Sequence, residues 1–225
     1  MFDYYNNYLY INFINYKFII IYNNIQIIIK MKINYFGILL VILMVLFGMK
    51  IYKDSDSFNL RCIISKVDGN TYCVRERSKV ELAADLLAEA TKKMKRLVEH
   101  MNSKHASNPA VKRLVENFNP DKISETLPTS EHTAYSENKG EKMAFCLNED
   151  KEGTRLIDLS TLTFVAIHEL AHLMTASIGH KEEFWDNFKF LLESAKKSGI
   201  YEPVDYAKSP VQYCGTRIDE NPFYK

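Results

Sequence analysis

The sequence has no excess of charge of either sign. Its 29 Lys and Arg residues nearly balance 28 Asp and Glu residues, which leaves a formal net charge of +1 over 225 residues. Domains that bind nucleic acid through its phosphates usually carry a clear surplus of basic side chains. The balance therefore gives no electrostatic case for nucleic acid, or for an anionic membrane surface, as a partner.

Cysteine is also sparse, and the four cysteines do not form a Cys-x-x-Cys pair. The spacing of zinc ribbons and dithiol redox motifs is therefore missing. The even number of cysteines is compatible with two disulfides in an oxidising compartment: Cys62, Cys73, Cys146 and Cys214. Of the three possible pairings, Cys62 with Cys73 is attractive because these residues flank a predicted hairpin. Free buried cysteines are the alternative.

Charged residues are absent from positions 33–49, and residues 36–48 are almost wholly aliphatic. A buried helix of a soluble domain would need a polar face, which this run does not have. Tyr35 and Tyr52 suit the two membrane interfaces, and no small-x-small cleavage site follows the run. Residues 33–52 are therefore predicted to form a transmembrane signal anchor rather than a cleaved signal peptide.

Residues 1–30 contain no acidic side chain after Asp3 and consist mainly of Asn, Tyr and Ile. Such low complexity is a compositional bias rather than a folding pattern. Because these residue types have AT-rich codons, we favour the interpretation that the segment is an upstream stretch read in frame, with Met31 as the true start. A prion-like or membrane-inserting arm is the alternative.

The strongest chemical signal is the pentapeptide His168-Glu169-Leu170-Ala171-His172, which lies within an apolar pattern of helical period. Two histidines four residues apart project from the same face of a helix, so both imidazoles can reach one metal ion. Glu169 lies beside that face and can touch a metal-bound water. Catalytic zinc takes three protein ligands and keeps one open position, so a third ligand is expected elsewhere. A buried helix with hydrogen-bonded histidines is the alternative.

His180 is the best candidate for the third ligand. Gly179 can adopt the positive φ that ends a helix, and a chain that turns there can bring His180 back toward the metal. Residues 181–198 then show an apolar stripe of helical period that would pack under the site. If His180 is instead a surface histidine, then Glu182, Glu183 or a more distant residue would be the third ligand.

Upstream of this motif, the sequence predicts strands as well as helices. Asp68-Gly69 between β-branched runs predicts a hairpin over residues 61–75. Residues 79–101 have the pattern of a long amphipathic helix, and Asn108-Pro109 is typical of the start of a short one. Together with the motif-bearing helix, these elements predict that residues 54–225 form an α+β domain.

A second hairpin is predicted over residues 134–147, around an Asn-Lys-Gly turn. In zinc proteases an edge strand beside the metal commonly binds substrate as an added strand, so Met143, Ala144 and Phe145 are candidate substrate-binding residues. An ordinary sheet strand is the alternative. The tail after Gly199 has no clear period and is expected to wrap the domain, where Tyr206 or Tyr213 would either pack or donate to the oxyanion.

Several short motifs follow one another in residues 134–195: Ala134-Tyr135-Ser136, Asn138-Lys139-Gly140, Leu156-Ile157-Asp158, the His-Glu-x-x-His motif, Gly179-His180 and Phe184-Trp185. This stretch, just over a quarter of the chain, resembles the WLM metalloproteases, relatives of the SprT-like (Spartan) proteases. The resemblance implies a compact zincin-like domain with helices packed on a small sheet. It also implies zinc held by His168, His172 and His180, with Glu169 as the general base.

These observations predict a membrane-anchored zinc metallopeptidase with a protein or peptide substrate. Glu169 would take a proton from a zinc-bound water and pass it to the leaving amine. The domain would lie on the exocytoplasmic or lumenal side, or on a virion membrane. AT-rich coding, an anchored ectodomain and a WLM-like core together suggest a large DNA virus. One alternative is a catalytically inactive structural membrane or virion protein with the same fold. Another is a repair protease acting on DNA-protein crosslinks, which the balanced charge and the membrane anchor disfavour.

Overall fold

The computed structural model describes residues 35–54 and 60–225, apart from Pro128, Glu152 and Thr154. The predictions for residues 1–30 and for a start at Met31 lie outside the described residues. The chain divides into two compact units between Asp54 and Ser55.

In the first unit the described residues form one helix, α1 (Tyr35–Asp54). An 18-residue window of it, Tyr35–Tyr52, has a mean hydropathy of 2.2 and is long and apolar enough to cross a membrane. The length and composition of α1 suit both a membrane span and a signal sequence near the N-terminus.

The second unit has the predicted mixed α+β composition. Its strands in the described residues are β1 (Leu60–Ile64), β2 (Thr71–Arg75), β3 (Ile123–Glu125), β4 (Ala134–Glu137), β5 (Lys142–Phe145), β6 (Val211–Tyr213) and β7 (Thr216–Ile218). Its α-helices are α2 (Val80–His105), α3 (Pro109–Asn117), α4 (Leu159–Met174) and α5 (Glu182–Lys197). Short 3-10 helices occupy Pro120–Lys122 and Pro222–Tyr224.

Five strands form one sheet in the order β1-β2-β3-β5-β4, while β6 and β7 pair separately as a hairpin. Both predicted hairpins are confirmed, because β1 pairs antiparallel with β2 and β4 pairs antiparallel with β5. The turn of the second hairpin places Asn138, Lys139 and Gly140 at positive φ, which asparagine and glycine tolerate best. Strand β3 runs parallel to both neighbours, since helices α2 and α3 lie between β2 and β3 in the chain.

Helix α4 is the centre of the core. It contacts α2, α3 and α5, and most of its 16 residues are buried, which explains why its sequence is apolar on nearly every face. Asp158 begins the helix, because its carboxylate accepts the Thr161 N–H at 2.9 Å. The motif therefore lies on a rigid element that packing on several sides fixes in place.

All four cysteines form disulfides. Cys62 pairs with Cys73 across the β1–β2 ladder, where the two residues lie directly opposite each other. Cys146, just after β5, pairs with Cys214 in the turn between β6 and β7. The second bridge joins the C-terminal tail to the main sheet.

Candidate metal centre

Three imidazoles converge where α4 meets the chain that precedes α5. The Nε2 atom of His180 lies 3.1 Å from Nε2 of His168 and 3.1 Å from Nε2 of His172. Candidate ligand atoms of the three residues all lie within 4.8 Å of one another. A tetrahedral zinc with bonds of about 2.0–2.1 Å places its ligand nitrogens roughly 3.3 Å apart, so this donor set fits zinc. The structure thus brings together the three histidines that the sequence predicts as ligands.

The ring of Phe184 contacts all three imidazoles. Its ring centroid lies 4.9 Å from that of His168, 4.4 Å from His172 and 4.6 Å from His180. Phe184 is fully buried, so it fixes the rings from the side of the core. Trp185 adds a hydrogen bond from Nε1 to the main-chain oxygen of His180 at 3.1 Å. The Gly179-His180 and Phe184-Trp185 pairs are therefore in contact and belong to the same site.

The loop that leads to His180 is held by the carboxylate of Glu183. Gly179 takes the predicted positive φ, 81°, just before the histidine, but it does not end the helix, because α4 already ends at Met174. Glu183 accepts the N–H groups of Ala176 at 3.0 Å and Ser177 at 3.1 Å, and these bonds hold its pKa below the ordinary value. Among the described residues the cluster able to hold a metal contains neither Glu182 nor Glu183, the alternative third ligands.

Two further side chains support this loop, and sequence reasoning missed both. Arg113 donates from Nε to the main-chain oxygen of Met174 at 3.1 Å and from Nη2 to Glu183 at 3.3 Å. Asn187 donates to the hydroxyl of Thr175 at 2.9 Å. Because Arg113 lies on α3, far from the motif in the chain, and bonds partly to backbone, no sequence pattern marks it as part of the site.

Burial sets the protonation of the centre. Desolvation, followed by the neighbouring imidazoles His172 and His180, lowers the pKa of His168 to about 3. Desolvation, followed by His180, lowers the pKa of His172 to about 4. Both imidazoles are therefore neutral at pH 7, which is the form that binds metal.

Glu169 lies beside these ligands and is only 5% exposed. Burial raises the pKa of its carboxyl to about 8. A cation held by the three histidines would oppose this shift, because a nearby positive charge stabilises the carboxylate. The pKa of the Glu169 carboxyl should therefore be lower when the three histidines hold a cation than when they do not.

The centre opens into a cleft of about 810 Å³. Strand β4 contributes Ala134, Tyr135 and Ser136 to one border, and the hairpin β6–β7 contributes Tyr213 and Thr216 to another. The β6–β7 hairpin was not predicted, although the Cys-Gly pair at its turn takes positive φ at both residues and is a usable turn signal.

The two tail tyrosines have different places. Tyr213 lines the cleft and donates its hydroxyl to the main-chain oxygen of Thr133 at 3.1 Å. Tyr206 is fully buried with its ring centroid 4.9 Å from that of Phe164, and it is not among the residues that line the cleft. Of the two, Tyr213 is the one within the site.

The structure contradicts the predicted substrate strand. Met143, Ala144 and Phe145 lie on β5, which pairs with β3 on one side and β4 on the other, and all three are fully buried. The main-chain groups of β5 are therefore occupied by its neighbours. Among the described strands, β4 is the edge strand beside the cleft, since its pairing there is with β5 alone. Alternation of apolar residues identifies a strand but not its position in the sheet.

Comparisons with known proteins give viral relatives. The chain is 28% identical over 193 residues to Uncharacterized protein R325 of Acanthamoeba polyphaga mimivirus, covering 84% of this chain and 95% of that protein. It is 36% identical over 58 residues to Uncharacterized protein 136R of Invertebrate iridescent virus 6 and over 86 residues to Uncharacterized protein 042R of Invertebrate iridescent virus 3. Those matches cover 25% and 38% of this chain, and 33% and 50% of the two proteins. All three relatives fit the predicted viral origin.

No protein-family model matches the chain. Among solved structures, the crystal structure of Wss1 from Saccharomyces cerevisiae is similar with a TM-score of 0.43 and 18% identity. The match covers 56% of this chain and 89% of that one. At this level of likeness, the residues of the site itself must carry any functional conclusion.

Proposed function

We propose that the chain is a zinc-dependent metallopeptidase, anchored to a membrane through α1. One observation carries this proposal: three histidine Nε2 atoms converge beside a buried glutamate, at a cleft bordered by the edge of a sheet. Three neutral nitrogen ligands with an adjacent carboxylate are the donor set and base that hydrolytic zinc sites use.

Each residue has a distinct role. His168, His172 and His180 would hold the zinc, with Phe184 fixing their rings from below. Zinc, when bound, supplies Lewis acidity toward a carbonyl oxygen and lowers the pKa of water in its open position. Glu169 would accept a proton from the attacking water and deliver it to the leaving amine.

The substrate would be an extended peptide. In the part of the chain that the structure describes, β4 pairs on one side with β5, so its other edge can accept a peptide as an added strand along the cleft. Along β4, such binding would recognise the backbone of the peptide more than its side chains. The net charge of +1 gives no support for a nucleic-acid substrate.

The compartment follows from the disulfides and from α1. Two bridges favour an oxidising environment, so the second unit would lie on the exocytoplasmic or lumenal side, or on a virion membrane. The inactive structural alternative expects the tail to close the cleft. The β6–β7 hairpin instead forms a border of a cleft that retains about 810 Å³, which favours the enzyme.

The test compares the full-length chain with its Glu169→Gln variant in detergent. We expect about one zinc per chain in both by elemental analysis, because Glu169 is not a ligand in this proposal. Peptide cleavage should fall by about 10²- to 10⁴-fold in the variant, since it loses its general base. Equal residual cleavage by the two zinc-loaded proteins would remove the protease claim.

A further inference from the structure

A second recess, of about 520 Å³, opens beside the metal centre. Its lining shares Phe164 and His168 with the main cleft, so both spaces lie against the side chain of one of the three histidines. The His168 ring also contacts Phe188, which lines the recess, with ring centroids 5.2 Å apart. The recess is therefore next to a proposed zinc ligand.

The interior of this recess is apolar and preformed. Phe164 and Phe188 are core residues, 6% and 1% exposed, with ring centroids 5.3 Å apart. Trp185 forms another wall, and it stays 44% exposed although its indole N–H is bonded to the main-chain oxygen of His180. A fixed indole that is half accessible leaves aromatic surface for a ligand. We call these three residues, together with Pro222, the aromatic pocket.

Charges of both signs surround the mouth of the aromatic pocket. The Lys225 ammonium pairs with Glu220, and the Lys189 ammonium donates to the main-chain oxygen of Lys225. Asp186 also lies on the lining, so acidic and basic side chains are both present and the rim does not select strongly for a ligand of one charge. A charged group that entered the pocket would lose hydration without gaining a buried partner.

We propose that the aromatic pocket binds a bulky apolar side chain of the substrate, next to the scissile bond. The proposal rests on the proposed function, because it needs a peptide in the main cleft. The pocket lies against His168, and successive residues of an extended peptide are about 3.3 Å apart, so a side chain in the pocket belongs to a residue adjoining the cleaved bond. The volume of the recess, about 520 Å³, lies within the roughly 300–1,000 Å³ of small-ligand pockets. Phenylalanine and leucine side chains are therefore the expected occupants.

A binding test that needs no catalysis uses Trp185, the only tryptophan of the chain. The full-length Glu169→Gln variant is titrated with N-acetyl-phenylalaninamide, and indole emission is recorded. We expect a saturable change, with no saturable change for the alanine and aspartate amides. The same titration of the guanidinium-unfolded chain controls for collisional quenching. An equal response to all three amides, or no saturable response to any, would overturn the proposal.

A cleavage test uses peptides that differ only in one residue adjoining the scissile bond. We expect kcat/KM for Phe or Leu to exceed that for Asp by about 10- to 100-fold in the parent chain. Trp185→Ala should reduce this ratio to below about threefold, because it removes a pocket wall. Trp185→Phe is the matched control, since it loses the same indole hydrogen bond but keeps an aromatic wall and most of the preference.

The two tests separate the failure of each proposal. Cleavage without side-chain preference, or equal preference in the alanine variant and the parent, would refute the aromatic pocket alone. A saturable response of Trp185 without cleavage of any peptide by the zinc-loaded parent would refute the peptidase and support the pocket as a binding site.

Discussion

Helix α4 and the hairpin β6–β7 border the same cleft but are held in place by different means. Helix α4 is buried along most of its length by α2, α3 and α5. The hairpin is short, with three residues in each strand. Of its residues that line the cleft, Thr216 is exposed and Ile218 is partly exposed. Helix α4 is thus a wall of the cleft that belongs to the core, whereas the β6–β7 hairpin is a wall attached to the core.

The attachment of the hairpin is local. The Cys146–Cys214 disulfide joins its turn to the end of β5. Next to the bridge, the N–H of Cys214 donates to the main-chain oxygen of Asn148 at 2.9 Å. The hydroxyl of Tyr213 provides a third point of attachment, to the main-chain oxygen of Thr133.

This difference assigns separate tasks to the two walls. The proposed metal chemistry lies on α4, where packing fixes the ligands, whereas the hairpin shapes the space that a peptide would occupy. Changes on the helix side should therefore abolish the function, and changes on the hairpin side should adjust substrate binding while zinc remains bound.

The largest effect is expected from His172→Ala on the helix side. Loss of one of three nitrogen ligands should remove nearly all zinc at submicromolar free zinc, and peptide cleavage with it. Elemental analysis and a cleavage assay of the full-length chain measure both. His100→Ala on α2, outside the lining of the cleft, is the matched control and should retain zinc. Full zinc in the His172 variant would contradict the ligand assignment.

The helix side could be predicted from the sequence because its signals are local. The spacing of His168 and His172 and the apolar period of α4 act within a few turns of helix, and the glycine before His180 acts on the residue next to it. The hairpin side could not be predicted, since its position depends on a disulfide that spans 68 residues and on bonds to main-chain oxygens. The order of β4 and β5 failed for the same reason, because strand order is a property of the whole sheet.

A smaller effect is expected where the helix side meets the loop before His180. Glu183→Ala removes the acceptor for two loop N–H groups, so the third ligand should be held less firmly. Groups that orient a metal ligand typically change metal affinity by about 10- to 100-fold when lost. Competition with a zinc chelator measures the change. Glu182→Ala, the exposed neighbour, is the control and should bind zinc as the parent does; equal affinities for all three chains would exclude this role.

On the hairpin side, Cys214→Ser should detach the β6–β7 turn from the end of β5 while zinc stays bound. The chain-entropy relation gives about 4 kcal/mol for a bridge of this separation and about 3 kcal/mol for the Cys62–Cys73 bridge, whose separation is 11 residues. We expect the variant to lose stability to urea and to raise KM by a few-fold while zinc stoichiometry stays unchanged. Cys62→Ser is the control, because its bridge lies in the β1–β2 ladder, and it should lose stability without a change in KM.

The smallest effect at physiological pH concerns the tyrosines of the tail and of β2. Burial raises the pKa of Tyr72 to about 12, and burial also raises those of Tyr201, Tyr206 and Tyr213 above the ordinary value of 10. Above pH 10 the unfolded chain releases these protons while the folded chain retains them, so the unfolded state binds fewer protons. The free energy of unfolding should therefore be unaffected below pH 10 and fall as pH rises from 10 toward 12.

Tyr213→Phe connects this pH dependence to the hairpin. Phenylalanine has no ionisable hydroxyl, so the variant should lose less stability than the parent between pH 9.5 and 11.5 when both are unfolded in urea at each pH. At pH 8 it should already be slightly less stable, because the hydrogen bond to Thr133 is gone. Absorbance at 295 nm follows phenolate formation in the same samples. Identical pH profiles for the two chains would mean that Tyr213 has the same pKa in the folded and the unfolded chain. Its hydroxyl would then be exposed to solvent in the folded protein, whereas the structure has Tyr213 buried.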